Sequence, residues 1–150
     1  MSVVIRIRPA SQDDQVEWLG LWQQYCAFYN VALPQRVVDA TWQRIATPLE
    51  PIHCLIAADQ TGRAVGFCNY VCHPNTWSDQ TVCYLEDLFV HKNARRLGVG
   101  TRLINELVDI GRRENWFRIY WVTNIDNLQA RAAYDRLAKR TDHVRYEIAL

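Results

Sequence analysis

Between Val82 and Thr123 the hydrophobic pattern changes period twice, and this limits the folds open to the chain. Val82 to His91 (VCYLEDLFVH) reads as a strand. From Gly98 to Asn115 the residues Val99, Leu103, Leu107 and Ile110, flanked by Ile104 and Val108, make a broad apolar face at helical spacing. Phe117 to Thr123 returns to β-formers and predicts a strand buried on both faces. A strand, a helix and a second strand in this order form a crossover unit, which belongs in a sheet with at least one parallel pair.

The preceding residues supply antiparallel partners. Val3 to Arg8 alternates as a strand, and Ser11 with Asp14 gives a capping-box signal. A helix follows, with Trp18, Leu19, Trp22, Tyr25 and Cys26 at helical spacing. Pro34 starts a second helix carrying Val37, Val38, Trp42 and Ile45. Ile52 to Ala58 and Ala64 to Cys72 are strands joined by the turn Asp59-Gln60-Thr61-Gly62. A polar loop with Pro74, Asn75 and Trp77 leads to the strand at Val82. Asn127 to Lys139 is a helix with Ala130, Ala133, Tyr134, Leu137 and Ala138 inward, and Val144 to Ala149 is a last strand. The expected order is β-α-α-β-β-β-α-β-α-β, an α/β fold with a mixed, mostly antiparallel sheet and helices on both faces.

No linker, repeat or low-complexity tract interrupts the 150 residues, so one domain over 1–150 is expected. Seventeen basic residues against sixteen acidic ones leave a formal charge of +1. That balance argues against nucleic acid as the main partner, because phosphate recognition concentrates Lys and Arg. The N-terminus has no long apolar run, so neither a signal peptide nor a membrane span is expected. The five cysteines form no CxxC pair, and His53, His73 and His143 have no metal spacing, so no metal is expected. Cys68 and Cys72 fall on one face of a strand. Reduced thiols fit a cytoplasmic protein.

The stretch from His91 to Gly100 carries the clearest chemistry. A strand runs into Arg95 and Arg96, then Leu97, Gly98, Val99, Gly100 and Thr101 at the start of a helix. Helix N-termini leave backbone N–H groups unpaired and carry partial positive charge, so this loop can cradle a pyrophosphate. The Walker pattern is excluded for want of Gly-Lys-Ser/Thr, and the dinucleotide fingerprint because its third glycine position holds Leu103.

Arg95, Gly98 and Gly100, following a hydrophobic strand, resemble motif A of the GNAT acetyltransferase superfamily, Arg/Gln-x-x-Gly-x-Gly/Ala. Asn127, Ala130 and Tyr134 resemble its Asn-x-x-Ala-x-x-x-Tyr segment at the family spacing. Leu85 to Val90 looks like the polyamine acetyltransferase branch. Tyr120 to Thr123, Trp77 and Leu21 to Tyr25 look more like the small histone-acetyltransferase-related branch.

The resemblance implies an N-acetyltransferase using acetyl-coenzyme A as co-substrate and a small-molecule amine or lysine side chain as acceptor. It implies that two strands splay apart and that the coenzyme lies between them, along Leu88, Phe89 and Val90. The pyrophosphate would rest on Arg95 to Thr101, with Asn127 and Ala130 orienting the coenzyme. The amine attacks the thioester directly, so a base must deprotonate an ammonium and an acid must protonate the departing sulfur. Tyr134 is then the acid, with core packing as its alternative role, and Asn127 can equally cap its helix.

Glu86 and Asp87 are adjacent in a strand, so strict alternation turns them to opposite faces. Glu86 is read as the base. Asp87 is its competitor and an acceptor-binding residue, while His91 is read as a surface or capping group. Tyr25, Tyr29 and Trp77 are candidate walls for a cationic amine, core or rim packing being the alternative. After Tyr134 the family commonly shows Gly-Phe, where this chain has Asp135-Arg136. The final sheet edge is therefore expected to be short, or completed by a second subunit in a homodimer. A coenzyme A-binding module without chemistry is the competing class.

Overall fold

A computed structural model describes residues 3–150. The strands are β1 (Arg6–Pro9), β2 (Ile52–Ala58), β3 (Ala64–His73), β4 (Val82–Val90) and β5 (Arg118–Tyr120). The helices are α1 (Gln15–Phe28), α2 (Gln35–Ala46), α3 (Val99–Arg113) and α4 (Leu128–Leu137). The sheet runs β1-β2-β3-β4-β5, antiparallel throughout except for the parallel β4–β5 pair that the α3 crossover requires.

Asp14 fixes the entry to α1. Its carboxylate accepts from the Ser11 N–H at 2.7 Å and from Arg8 at 2.7 and 2.8 Å. The Arg8 guanidinium is the main reason its pKa falls below the usual carboxylate range. Trp18, Trp22 and Trp42 of α1 and α2 pack with Ile56, Phe67 and Phe89 on one face of the sheet. Trp18 stacks on Trp22 at 5.3 Å between ring centroids. On the other face Leu103, Ile104 and Leu107 of α3 meet Leu55, Cys68, Cys83 and Leu85. Helices therefore cover both faces, as the two hydrophobic periods require.

Two expectations at the C-terminal end are corrected. Phe117 to Thr123 is not a strand buried on both faces: β5 has three residues, and Phe117, Tyr120 and Val122 are exposed. Val144 to Ala149 forms no strand, and Val144, Tyr146 and Ile148 are at least 73% exposed. The causes are linked. A strand needs a ladder partner, and the sheet edge at that end is the three-residue β5. With no sixth strand against it among the described residues, β5 stays a half-solvated edge. At the other end, β1 begins at Arg6, and Val3 and Val4 are exposed.

Candidate active site

β4 is the floor of the site. Its register with β3 holds from Gly66↔Val90 to Asn69↔Asp87 and resumes at Tyr70↔Leu85. Glu86 is therefore the extra residue of a β-bulge. A bulge interrupts alternation by one residue. Cys83, Leu85, Leu88 and Val90 all pack on the α3 side, while Phe89 joins the α1 and α2 cluster. Glu86 and Asp87 consequently share the α1 face, which corrects the expectation that they point to opposite faces. Strict alternation failed because the extra residue is absorbed at Glu86.

Asp87 is held from two directions. The Tyr25 hydroxyl donates to it at 2.7 Å and the Asn69 amide at 3.1 Å. Burial raises its pKa, and these two donors pull the other way. Tyr25 is pushed up by burial and by the adjacent carboxylate. Glu86 is also raised, first by partial burial and then by Asp87, with Arg145 partly offsetting both. Asn69 is 2% exposed, and its Oδ1 finds no partner among the described residues. Sequence reading missed Asn69; a single amide between Cys68 and Tyr70 in an apolar strand was the available signal.

β4 and β5 pair only from Val82↔Arg118 to Tyr84↔Tyr120. From Leu85 onward β4 has a strand neighbour on the β3 side alone, so a cleft opens between Leu85–Val90 and the chain after Tyr120. Tyr84 stacks on Tyr120 at 4.9 Å where the strands part, and His73 Nε2 lies 3.0 Å from the Tyr120 hydroxyl.

The start of α3 closes one end of the cleft. Gly98 is its N-cap in the left-handed region, with φ +72°, and no side chain caps the helix. The helix-initiating amides near Val99, Gly100 and Thr101 are thus left to an external acceptor. A Cβ placed on Gly98 would meet nothing within 4 Å, so the loop has open space on that side. One placed on Gly100 would sit 3.9 Å from Leu88 and Val90, so the first turn of α3 lies over the end of β4. These features fit an anionic pyrophosphate. Arg96, with φ +66°, is exposed, as is Leu97. Arg95 is more constrained than expected: its Nε donates to Val90 O at 3.0 Å, and its guanidinium lies over the Phe28 and Phe89 rings. His91 caps the short turn Lys92–Ala94 by accepting from Asn93 N.

Asn127 caps α4, its Oδ1 accepting from Ala130 N at 3.3 Å. Tyr134 packs edge-on against Trp121, with ring centroids 5.4 Å apart. Its pKa is raised by burial and then by Tyr29 of the α1 end. Tyr29 and Tyr25 are in ring contact at 4.9 Å. The Tyr25 hydroxyl is committed to Asp87, and Trp77 is 84% exposed on the β3–β4 loop. No cluster of His, Cys, Asp and Glu among the described residues could hold a metal ion.

A strand with an open edge, a glycine-led helix start at its end and carboxylates on its floor form a cleft with the groups that acyl transfer to an amine needs. The family model described as the acetyltransferase (GNAT) family matches residues 18–138. The chain is 32% identical to the D-amino-acid N-acetyltransferase HPA3 of Saccharomyces cerevisiae, over 95% of this chain and 89% of that protein. In fold it is similar to a probable acetyltransferase, with TM-score 0.86, 22% identity and 97% of each chain covered. It is also similar to the aminoglycoside acetyltransferase AAC(6')-Iy solved with a bisubstrate analog, with TM-score 0.83, 21% identity, and 98% and 99% of the two chains covered. The chain belongs to the GNAT acetyltransferase family and has its α/β fold. It is an enzyme that transfers an acetyl group from acetyl-coenzyme A to an amine.

Proposed function

We propose that residues 1–150 form a single catalytic domain that acetylates the primary amine of a small molecule, with amino acids as the favoured acceptors. The observation that carries this reading is the bulge, which sets Glu86 and Asp87 on one face of β4 beside the open cleft. Two carboxylates there attract an ammonium, and Arg145, which pairs with Glu147 at 2.5 Å and would exchange that partner for a substrate carboxylate, is near enough to Glu86 to influence its charge. An amino acid offers an ammonium to the carboxylates and a carboxylate to the arginine. The D-amino-acid activity of the yeast relative weighs in the same direction. Polyamines and protein lysine, the acceptors suggested by the polyamine and histone branches, lack the carboxylate that Arg145 would meet.

Acetyl-coenzyme A supplies the acetyl group as an activated thioester. Leu88, Phe89 and Val90 line its arm, and the backbone from Arg95 to Thr101 receives its pyrophosphate, with Asn127 and Ala130 beside it. Glu86 takes the ammonium proton, directly or through one water. Its raised pKa moves it toward the operating pH, where a general base works best. Asp87, anchored by Tyr25 and Asn69, keeps negative charge beside the acceptor. Tyr29 and Trp77 flank its approach. Tyr134 donates to the sulfur as it departs. A phenol titrates above a thiol, so this donation depends on charge building on sulfur as its bond to the acetyl carbon breaks.

We also propose a cytoplasmic homodimer. The free state of all five cysteines supports a reducing compartment. The alternating, exposed Val144, Tyr146 and Ile148 support pairing of this segment with a second copy.

A panel of D- and L-amino acids, polyamines, aminoglycosides and histone-tail peptides, assayed for thiol release, tests the acceptor. Amino acids should give the highest kcat/KM, and Arg145→Ala should raise their KM. A polyamine or peptide used far better than every amino acid would overturn the assignment.

A further inference from the structure

We propose that Cys72 and Cys83 are a peroxide-oxidisable dithiol whose disulfide staples the base of the β3–β4 loop and impairs use of the acceptor. The two residues are direct cross-strand partners in β3 and β4. They also face the same side of the sheet, within the α3-side core. The Cys72 backbone N–H donates to Pro51 O at 3.1 Å, on the β2 side of β3. It therefore points away from β4, which makes Cys72 and Cys83 a non-hydrogen-bonded pair. Such pairs have Cα atoms about 4.5 Å apart with side chains close, inside the range of about 4.4–6.8 Å that a disulfide spans.

The pair is asymmetric in a way that suits stepwise oxidation. Cys83 is fully buried, whereas Cys72 is partly exposed. The proximity of the two thiols lowers the pKa of Cys72 and raises that of Cys83. Cys68, on the same face, is buried and pushed up to about 12, so it does not compete. Cys72 sulfur, as thiolate, attacks one peroxide oxygen. The O–O bond breaks, Cys72 becomes a sulfenic acid, and the second oxygen leaves as hydroxide and takes up a proton to become water. Cys83 sulfur then attacks Cys72 sulfur, forming the S–S bond and expelling the sulfenic oxygen as water. Two thiols and one hydrogen peroxide give one disulfide and two waters.

The location gives the bond a consequence. Residues 74–81, with Trp77, span the two cysteines. His73 follows Cys72 and contacts the Tyr120 hydroxyl, and Tyr84 follows Cys83 and stacks on Tyr120. The cross-link thus draws on the contacts that mark where β4 and β5 part, at the mouth of the cleft.

The test treats the full chain with graded hydrogen peroxide and maps its peptides without reduction. The expected result is a Cys72–Cys83 cross-linked peptide, loss of two of the five free thiols, and recovery with dithiothreitol. Cys83→Ala should instead trap a dimedone-reactive sulfenic acid on Cys72, and Cys72→Ala should form neither product. Cross-linked protein should lose about tenfold in kcat/KM for the amine, the scale of a modest misplacement of reacting groups, with coenzyme Kd unchanged by calorimetry. A pair that stays reduced while Cys26 oxidises would overturn the dithiol. Fully cross-linked protein with wild-type kcat/KM would overturn the switch. This kinetic arm rests on the cleft being the acceptor site; the peptide map does not.

Discussion

The Tyr25 hydroxyl and the Asp87 carboxylate, 62 residues apart in the chain, meet at 2.7 Å and tie α1 to the bulged part of β4. Asp87 is raised by burial, so its charged form costs stability as pH rises through its folded pKa, and the Tyr25 donor reduces that cost. Tyr25→Phe should lower unfolding stability by about 1.5–3 kcal/mol at pH 7, the usual range for a lost hydrogen bond to a charged group. The loss should shrink at acidic pH, where Asp87 is protonated in both proteins. Urea unfolding of wild type and variant from pH 4 to pH 8 checks this; a pH-independent difference would contradict it.

The shared face of Glu86 and Asp87 makes their titrations interact. Glu86→Gln should lower kcat by about 10²-fold at neutral pH, the scale of a lost general base. Part of that loss should return at higher pH, where more of the amine is free. Asp87→Asn removes a negative neighbour that raises Glu86. The acid limb of kcat/KM in Asp87→Asn should therefore move to lower pH. A pH–rate series on both variants decides the roles: a pH-recoverable defect in Asp87→Asn alone would exchange the two residues.

The glycine-led start of α3 and the strand before it were legible because their signals are local, whereas β5 is shorter and more exposed than its run of β-formers suggests. Gly98 and Gly100 stand just where a strand period gives way to a helical one, and Gly98 adopts the left-handed conformation that favours glycine. The bulge at Glu86 was not legible, because a bulge is a relation between β4 and β3 and leaves no mark in β4 alone. Asn69 did leave a local mark, a lone amide in an apolar strand, but its partner, Asp87, lies on the neighbouring strand. The tail misled in the opposite sense. Val144, Tyr146 and Ile148 alternate like a strand, yet alternation gives a preferred conformation and not a ladder partner.

Gly98→Val should abolish measurable binding of acetyl-coenzyme A. Its φ of +72° is strained for a β-branched residue, and the new side chain would occupy the open space beside the α3 amides. Calorimetry should show no binding, while circular dichroism and the β3–β4 core remain close to wild type. Unchanged coenzyme affinity would remove the loop from the binding site.

If the exposed tail pairs with a second copy, oligomeric state and tail are linked. Wild-type protein should sediment as a dimer at high micromolar concentration. A chain ending at Asp142, which lacks Val144, Tyr146 and Ile148, should sediment as a monomer with its fold intact. A monomeric wild type, or an equally dimeric truncation, would contradict the pairing.

The central claim is that this cleft drives direct acetyl transfer, with Tyr134 protonating the departing sulfur. The most direct measurement is amine-dependent thiol release by Tyr134→Phe, under conditions where chemistry limits kcat. The ring and its contact with Trp121 survive the substitution, and only the hydroxyl is lost. The account predicts wild-type coenzyme affinity with kcat lowered by about 10²-fold or more. Full kcat in Tyr134→Phe would contradict it, as would a wild-type enzyme that binds the coenzyme yet releases no thiol with any amine.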